Sequence, residues 1–188
     1  PFTLLDNLLA WSRLETGHMP FNPARIVLAD AVDEVNNVLF TMAIRKRIEL
    51  NNLVNPEILV FADKNMLITI LNNLIMNAIK YTAGGGCVNI SAEKLTSESA
   101  SDRENILISV EDNGIGIEPE LMNDLFTGKK PVSQPGTEKE QGTGLGLMLT
   151  REMIEKHGGK ISVRSTAGKG SVFSFQLQAF DPAAGHTD

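Results

Sequence analysis

Apolar positions change period several times along this chain, and each change marks an element. From Phe2 to about Thr16, Leu4, Leu5, Leu8, Leu9 and Trp11 recur at three- and four-residue steps, the stripe of a short helix. Gly17 stops it, and Pro20 and Pro23 separate it from the next element. Arg25 to Leu28 reads as a short strand. Ala29 to about Lys46 returns to helical period, with Ala31, Val32, Val35, Val38, Leu39 and Met42 on one face and Asp33, Glu34, Asn37 and Arg45 on another. Ile48 to Val54 and Ile58 to Ala62 are strand runs, split by the turn at Asn55 and Pro56. Asp63 stands where it would N-cap a helix running through Met66, Leu67, Ile70, Leu71, Leu74, Ile75 and Ala78 to about Thr82, with Gly84 to Gly86 ending it.

The second half reads as strands again. Cys87 to Leu95 and Ile106 to Glu111 flank a polar hairpin loop, Thr96 to Asn105. A short helix over Glu118 to Leu125 starts behind Pro119. Thr127 to Gln141 is polar, punctuated by Gly and Pro, and long for a connection, which is the mark of a lid or a disordered segment. Leu145 to Lys156 is helical and ends at Gly158. Ile161 to Arg164 and Ser171 to Gln178 are strands joined by a turn at Ala167 to Gly170. Strand and helix order predicts an α+β fold. It is a two-layer α/β sandwich with a mixed, mostly antiparallel sheet and helices on one face, preceded by a helical stump. The divisions are residues 1–19, 20–180 and a tail, 181–188.

Composition narrows the class. With 188 residues, 42% of them hydrophobic, the chain can build one proper core. A net charge of −6 argues against a nucleic-acid surface. The single Cys87 excludes an intramolecular disulfide and fits a reducing compartment. Apolar runs such as Val38 to Ile44 are far shorter than the roughly 18 residues of a membrane helix. The chain begins at Pro1 and carries no signal-peptide pattern, so it reads as a piece of something longer, with room for a membrane segment upstream.

Three stretches carry candidate chemistry. Asn73, Asn77 and Lys80 share one face of the helix ending near Thr82, and Tyr81 follows. Such a stripe is ordinarily a solvated face. Yet two Asn one turn apart are poor helix formers, and an amide oxygen can ligate a phosphate-bound Mg²⁺. Asp112-Asn113-Gly114-Ile115-Gly116-Ile117 ends a strand. As a bare motif it is a common turn, but its carboxylate could also select a ligand with a donor, such as the exocyclic amine of adenine. Gly142, Gly144 and Gly146 alternate before a helix, with Thr143 and Leu145 between them, and suit a phosphate. Neither a P-loop nor a Rossmann fingerprint is present.

The set NNLIMNAIKYT, DNGIGI, Phe126, GTGLGL and KHGGKISVRSTAGKGSVFSF resembles the catalytic ATP-binding domain of sensor histidine kinases, from the superfamily shared with gyrase, mismatch-repair ATPases and a heat-shock chaperone. The similarity runs from about Asn22 to Leu177. LLDNLLAWSRLETG resembles the end of the second helix of the kinase dimerisation and phosphoacceptor hairpin. The resemblance implies an ATP-dependent protein histidine kinase domain. Asn77 would be the Mg²⁺ ligand, Asn73 a phosphate neighbour, Lys80 a phosphate contact and Tyr81 a nucleotide neighbour. Asp112 would read adenine, and Gly114 and Gly116 would let adenine and ribose approach. Gly142, Thr143, Gly144, Leu145 and Gly146 would line the phosphate end, and Phe126 would anchor the lid. Lys129, Lys130 or Lys139 could reach the γ-phosphate. ATP and Mg²⁺ are the implied ligands. The implied partners are the hairpin, a response regulator receiver domain and a second copy of the full-length protein, which would be cytoplasmic or anchored at a membrane. His18, His157 and His186 do not fit a phosphoacceptor; His157 reads as structural, at the negative end of a helix. An ATP clamp, a Ser-kinase relative and a decayed interaction module are the competing readings.

Overall fold

A computed structural model of the protein describes residues 19–95, 104–122, 124–126, 135–138, 140 and 144–182. The expected N-terminal helix, most of the 96–105 loop, most of the 127–141 segment and the last six residues lie outside this set. The described elements are β1 (Pro23–Val27), α1 (Leu28–Lys46), β2 (Glu49–Asn52), β3 (Leu59–Asp63), α2 (Lys64–Tyr81), β4 (Cys87–Leu95), β5 (Asn105–Asp112), α3 (Pro119–Met122), α4 (Gly146–Lys156), β6 (Ile161–Thr166) and β7 (Gly170–Gln178).

Five strands form one sheet in the order β2-β4-β5-β7-β6. β2 runs parallel to β4 and every other pairing is antiparallel. Alternation sorts its faces. Val88 and Ile90 of β4, Ile106, Ile108 and Val110 of β5, and Phe173, Phe175 and Leu177 of β7 are buried. Val110 stands opposite Phe173, and Ile108 opposite Phe175. Against this face pack α2, through Met66, Leu67, Ile70, Leu71, Leu74 and Ile75, and α4, through Leu149, Met153 and Ile154. The other face is polar: Ser109 and Ser174 share a hydrogen bond of 2.9 Å, and Asn51 donates to Asn89.

β1 and β3 form a separate antiparallel pair. β3 is held on its other side by Ala179, just beyond β7, so the small sheet hangs from the end of the large one. Pro23, which has no N–H to give a ladder, is tolerated because it is the first residue of a strand that, among the described residues, is paired on one side only.

Helices α1 and α2 end about where expected, but one stripe residue and the causes of both ends differ from the expectation. Val38 is 73% exposed and does not belong to the core stripe of α1, which runs Leu28, Val32, Val35, Leu39, Ala43 and, at the same spacing, Lys46. α1 ends on Arg47, a left-handed residue other than glycine (φ 56°). α2 ends because Thr82 turns extended, its N–H still bonded to Ala78, before the glycines are reached. Asp63 caps α2 as expected, its Oδ1 accepting from the Met66 N–H at 3.0 Å.

Candidate functional site

The C-terminal half of α2, the end of β5 and the start of α4 converge. Asn73 is buried, and its Nδ2 lies 3.4 Å from the Thr150 hydroxyl on α4, the two amphipathic helices meeting here by their polar edges. A side chain at Gly146, the first residue of α4, would stand 3.6 Å from Asn73 Oδ1. The start of α4 therefore lies against the same α2 face that carries Asn77 and Lys80. Leu145 gives α4 no side-chain cap, which leaves the N–H groups of its first turn available to an anion.

Asp112 terminates β5 on its core side, 6% exposed. Its Oδ1 accepts from the Gly114 N–H at 2.9 Å. Burial raises its carboxyl above the ordinary carboxylate value; the N–H groups of Gly114 and Ser171 pull it back, and the charge of Glu111 adds to the rise. The loop then folds onto the end of α2, with the Ile115 N–H donating to the Tyr81 carbonyl at 3.1 Å. A side chain at Gly114 would run into that carbonyl, and one at Gly116 (φ 68°) into the Thr166 carbonyl. Both glycines are thus required by close approach of protein backbone, whatever else they admit.

Lys80 is buried along its stem, with Nζ 2.9 Å from the Tyr81 hydroxyl and 4.6 Å from the centre of its ring. Asn77 is half-buried, and among the described residues its carboxamide has no hydrogen-bond partner, so its oxygen is available to a cation. Phe126 packs on the core. Gly144 is left-handed (φ 72°). Gly142, Thr143, Lys129, Lys130 and Lys139 lie outside the described residues, as do His18 and His186. Among the described residues no group of three His, Cys, Asp or Glu side chains could hold a metal ion.

Residues 62–180 match the family of histidine kinase-, DNA gyrase B- and HSP90-like ATPases. The chain belongs to this ATPase family. Within it, the sensor histidine kinase RppB of Synechocystis sp. is 34% identical over 98% of this chain, which covers 39% of that protein. The catalytic domain of the histidine kinase ThkA shares the fold with a TM-score of 0.68 and 29% identity, over 85% of this chain and 96% of that one. Full-length ShkA, solved in complex with AMPPNP, matches with a TM-score of 0.75 and 27% identity, over 94% of this chain and 35% of that one. The chain spans less than half the length of the curated relatives it matches. The matched segment of the ATPase family opens on β3 and closes beyond β7, so it contains every residue of the convergence described above.

His157 is held as the neutral ring. Its Nε2 accepts from the Asp63 N–H at 3.0 Å, so Nδ1 carries the proton given to the Met153 carbonyl at 2.7 Å. Burial pushes it below its ordinary value, outweighing the Met153 carbonyl and the Asp63 charge, which favour the cation. Thr150, which meets Asn73, gives no local signal in the sequence.

Proposed function

We propose that this chain is the ATP-binding catalytic part of a two-component sensor histidine kinase. It binds Mg-ATP and passes the γ-phosphoryl group to a histidine on a helical hairpin. The observation that carries this reading is the convergence of three features: the Asn-bearing face of α2, the buried Asp112 carboxylate and the uncapped start of α4. Asp112, when ionised, accepts from the exocyclic amine of adenine, with Gly114 and Gly116 beside it. The first turn of α4 faces phosphate oxygens through Gly146 and its neighbours. Asn77 offers an amide oxygen to Mg²⁺, and Lys80 supplies positive charge. Mg²⁺, when bound, would offset charge on the transferring phosphoryl group. In the transfer an imidazole nitrogen forms a bond to the γ-phosphorus, the bond to the β–γ bridging oxygen breaks, and ADP leaves. A receiver domain of a response regulator would take the group next, and the whole protein would act as a homodimer, anchored at a membrane or free in the cytoplasm. Among the described residues no helix is long and apolar enough to cross a membrane.

Calorimetric titration with ATP, with and without Mg²⁺, tests the pocket. Incubating γ-labelled ATP with a longer form carrying the hairpin tests the transfer. We expect Mg²⁺-dependent binding and acid-labile label on the hairpin alone. Absence of binding, or stoichiometric phosphohistidine on the 188-residue chain, would overturn the reading.

A further inference from the structure

Lys46 is a buried cation on the core stripe of α1. Its side chain is 2% exposed. Its ammonium lies 2.8 Å from the Ile79 carbonyl, 3.0 Å from the Lys80 carbonyl, 2.7 Å from the Thr137 hydroxyl and 2.8 Å from Glu140 Oε1. The two carbonyls belong to the last turn of α2, where unpaired acceptors and the negative end of the helix dipole favour a cation. Thr137 and Glu140 come from a segment more than ninety positions downstream.

That segment is fixed by further bonds to the same place. The Thr137 N–H donates to the Lys80 carbonyl at 3.1 Å, and the Thr137 hydroxyl donates to the Thr82 carbonyl at 2.9 Å. The Gly136 N–H donates to the Glu140 carbonyl, and Glu140 Oε2 accepts from the Glu138 N–H. Burial alone would raise the Glu140 carboxyl. The hydrogen bond from Lys46 and the backbone N–H groups outweigh it and hold the group below its ordinary value, so it is a carboxylate at neutral pH. Gly136 lies so close to Lys80 that a methyl there would sit 2.6 Å from Lys80 Cγ. The segment therefore presses on the stem of the lysine that the proposed function assigns to phosphate.

We propose that Lys46 and Glu140 form a buried latch. It seats Gly136 and Thr137 on the end of α2 and thereby sets the direction of Lys80. Both are positioning residues for the triphosphate end of the pocket and touch neither nucleotide nor metal. This rests on the ATP reading above. The latch makes occupancy by ATP depend on a contact between α1 and a segment far along the chain.

The test is Glu140→Gln, which keeps shape and removes charge, beside Thr137→Val, Lys46→Met and the Glu140→Gln/Lys46→Met pair. Affinities for Mg-ATP and for AMP are measured by calorimetry. Amide hydrogen exchange at Gly136 and Thr137 is measured without nucleotide. Glu140→Gln is expected to weaken ATP about tenfold, the scale of one charge-assisted hydrogen bond, to change AMP less than about twofold, and to speed exchange at Thr137 about tenfold. The double variant is expected to lose little more than the worse single one, since the two residues act as a unit. Equal losses for ATP and AMP, or ATP affinity unchanged in both Glu140→Gln and Thr137→Val, would overturn the latch. If the wild type binds no nucleotide, the ATP reading falls. The exchange rates then decide the latch alone: faster exchange in Glu140→Gln upholds the seating of the segment, and unchanged exchange overturns it.

Discussion

Replacing Asp112 by Asn separates what this residue does for the fold from what it does for a ligand. The two are expected to move in opposite directions. In the folded protein the carboxyl is raised, chiefly by burial. A raised carboxyl contributes stability only at low pH, below its unfolded value near 3.8, and that contribution is gone once pH has risen through the folded value. At pH 7 the ionised side chain is therefore a net cost to folding. Asparagine keeps an oxygen for the Gly114 N–H, now 2.9 Å from Oδ1, and removes the buried charge. Without nucleotide the variant should melt at the same temperature as the wild type or higher. Binding should suffer, because an amide now faces the adenine amine where a carboxylate accepted from it. A hydrogen bond to a charged group contributes about 1.5–3 kcal/mol, or about 10–150-fold in Kd. Thermal scans with and without Mg-ATP read both effects, since ligand raises stability only in proportion to its affinity. Asp112→Asn should melt no lower than the wild type without ATP and lose most of the shift that ATP gives. A variant that melts clearly lower yet binds ATP as well would reduce Asp112 to a turn residue and refute the reasoning.

Two further outcomes concern the supports of the site. Asp63→Ala removes the cap of α2 and the acceptor of the Asn22 N–H at 2.9 Å; it should cost about 1–2 kcal/mol, read by urea denaturation. His157 has a folded value below its ordinary 6.5, so its contribution to stability is fully present above 6.5 and is lost as pH falls below that. Between pH 7.5 and 5.5 the wild type should lose stability that His157→Gln, with no group to titrate, does not lose; parallel pH profiles would sink this.

Much of the fold is legible in the sequence because its signals are local. α2 announces itself by period, by Asp63 and by its apolar stripe, and β4 and β7 by alternation. What cannot be read is set by pairing between distant segments. Nothing within Glu49–Asn52 says that it will lie parallel to β4, or that Leu59–Asp63 will leave the main sheet to pair with β1. Val38 follows the helical period yet faces solvent, since period places a residue on a helix side and only the neighbouring element decides whether that side is covered. At the site, the motif residues are readable as a set, but their meeting is not: Asn73 reaches Thr150 across 77 positions and Lys46 reaches Glu140 across 94. His157 reads as structural from its place at a helix end, yet the cause in the fold is different, because a helix end is visible in sequence and burial is not.

β3 holds both ends of the described chain. On one side it pairs with β1, which the chain enters directly after Asn22; on the other it meets Ala179, and the Phe180 N–H donates to Leu59. The incoming segment is pinned further by Lys156, whose Nζ donates to the Met19 carbonyl, and by Phe21 against the His157 ring. The Asn22 N–H reaches the same carboxylate that caps α2, so one side chain joins the doorway of the domain to the first turn of the helix bearing Asn73 and Asn77. Breaking the Asn22–Asp63 bond would therefore loosen the entry of the described chain and the start of α2 together.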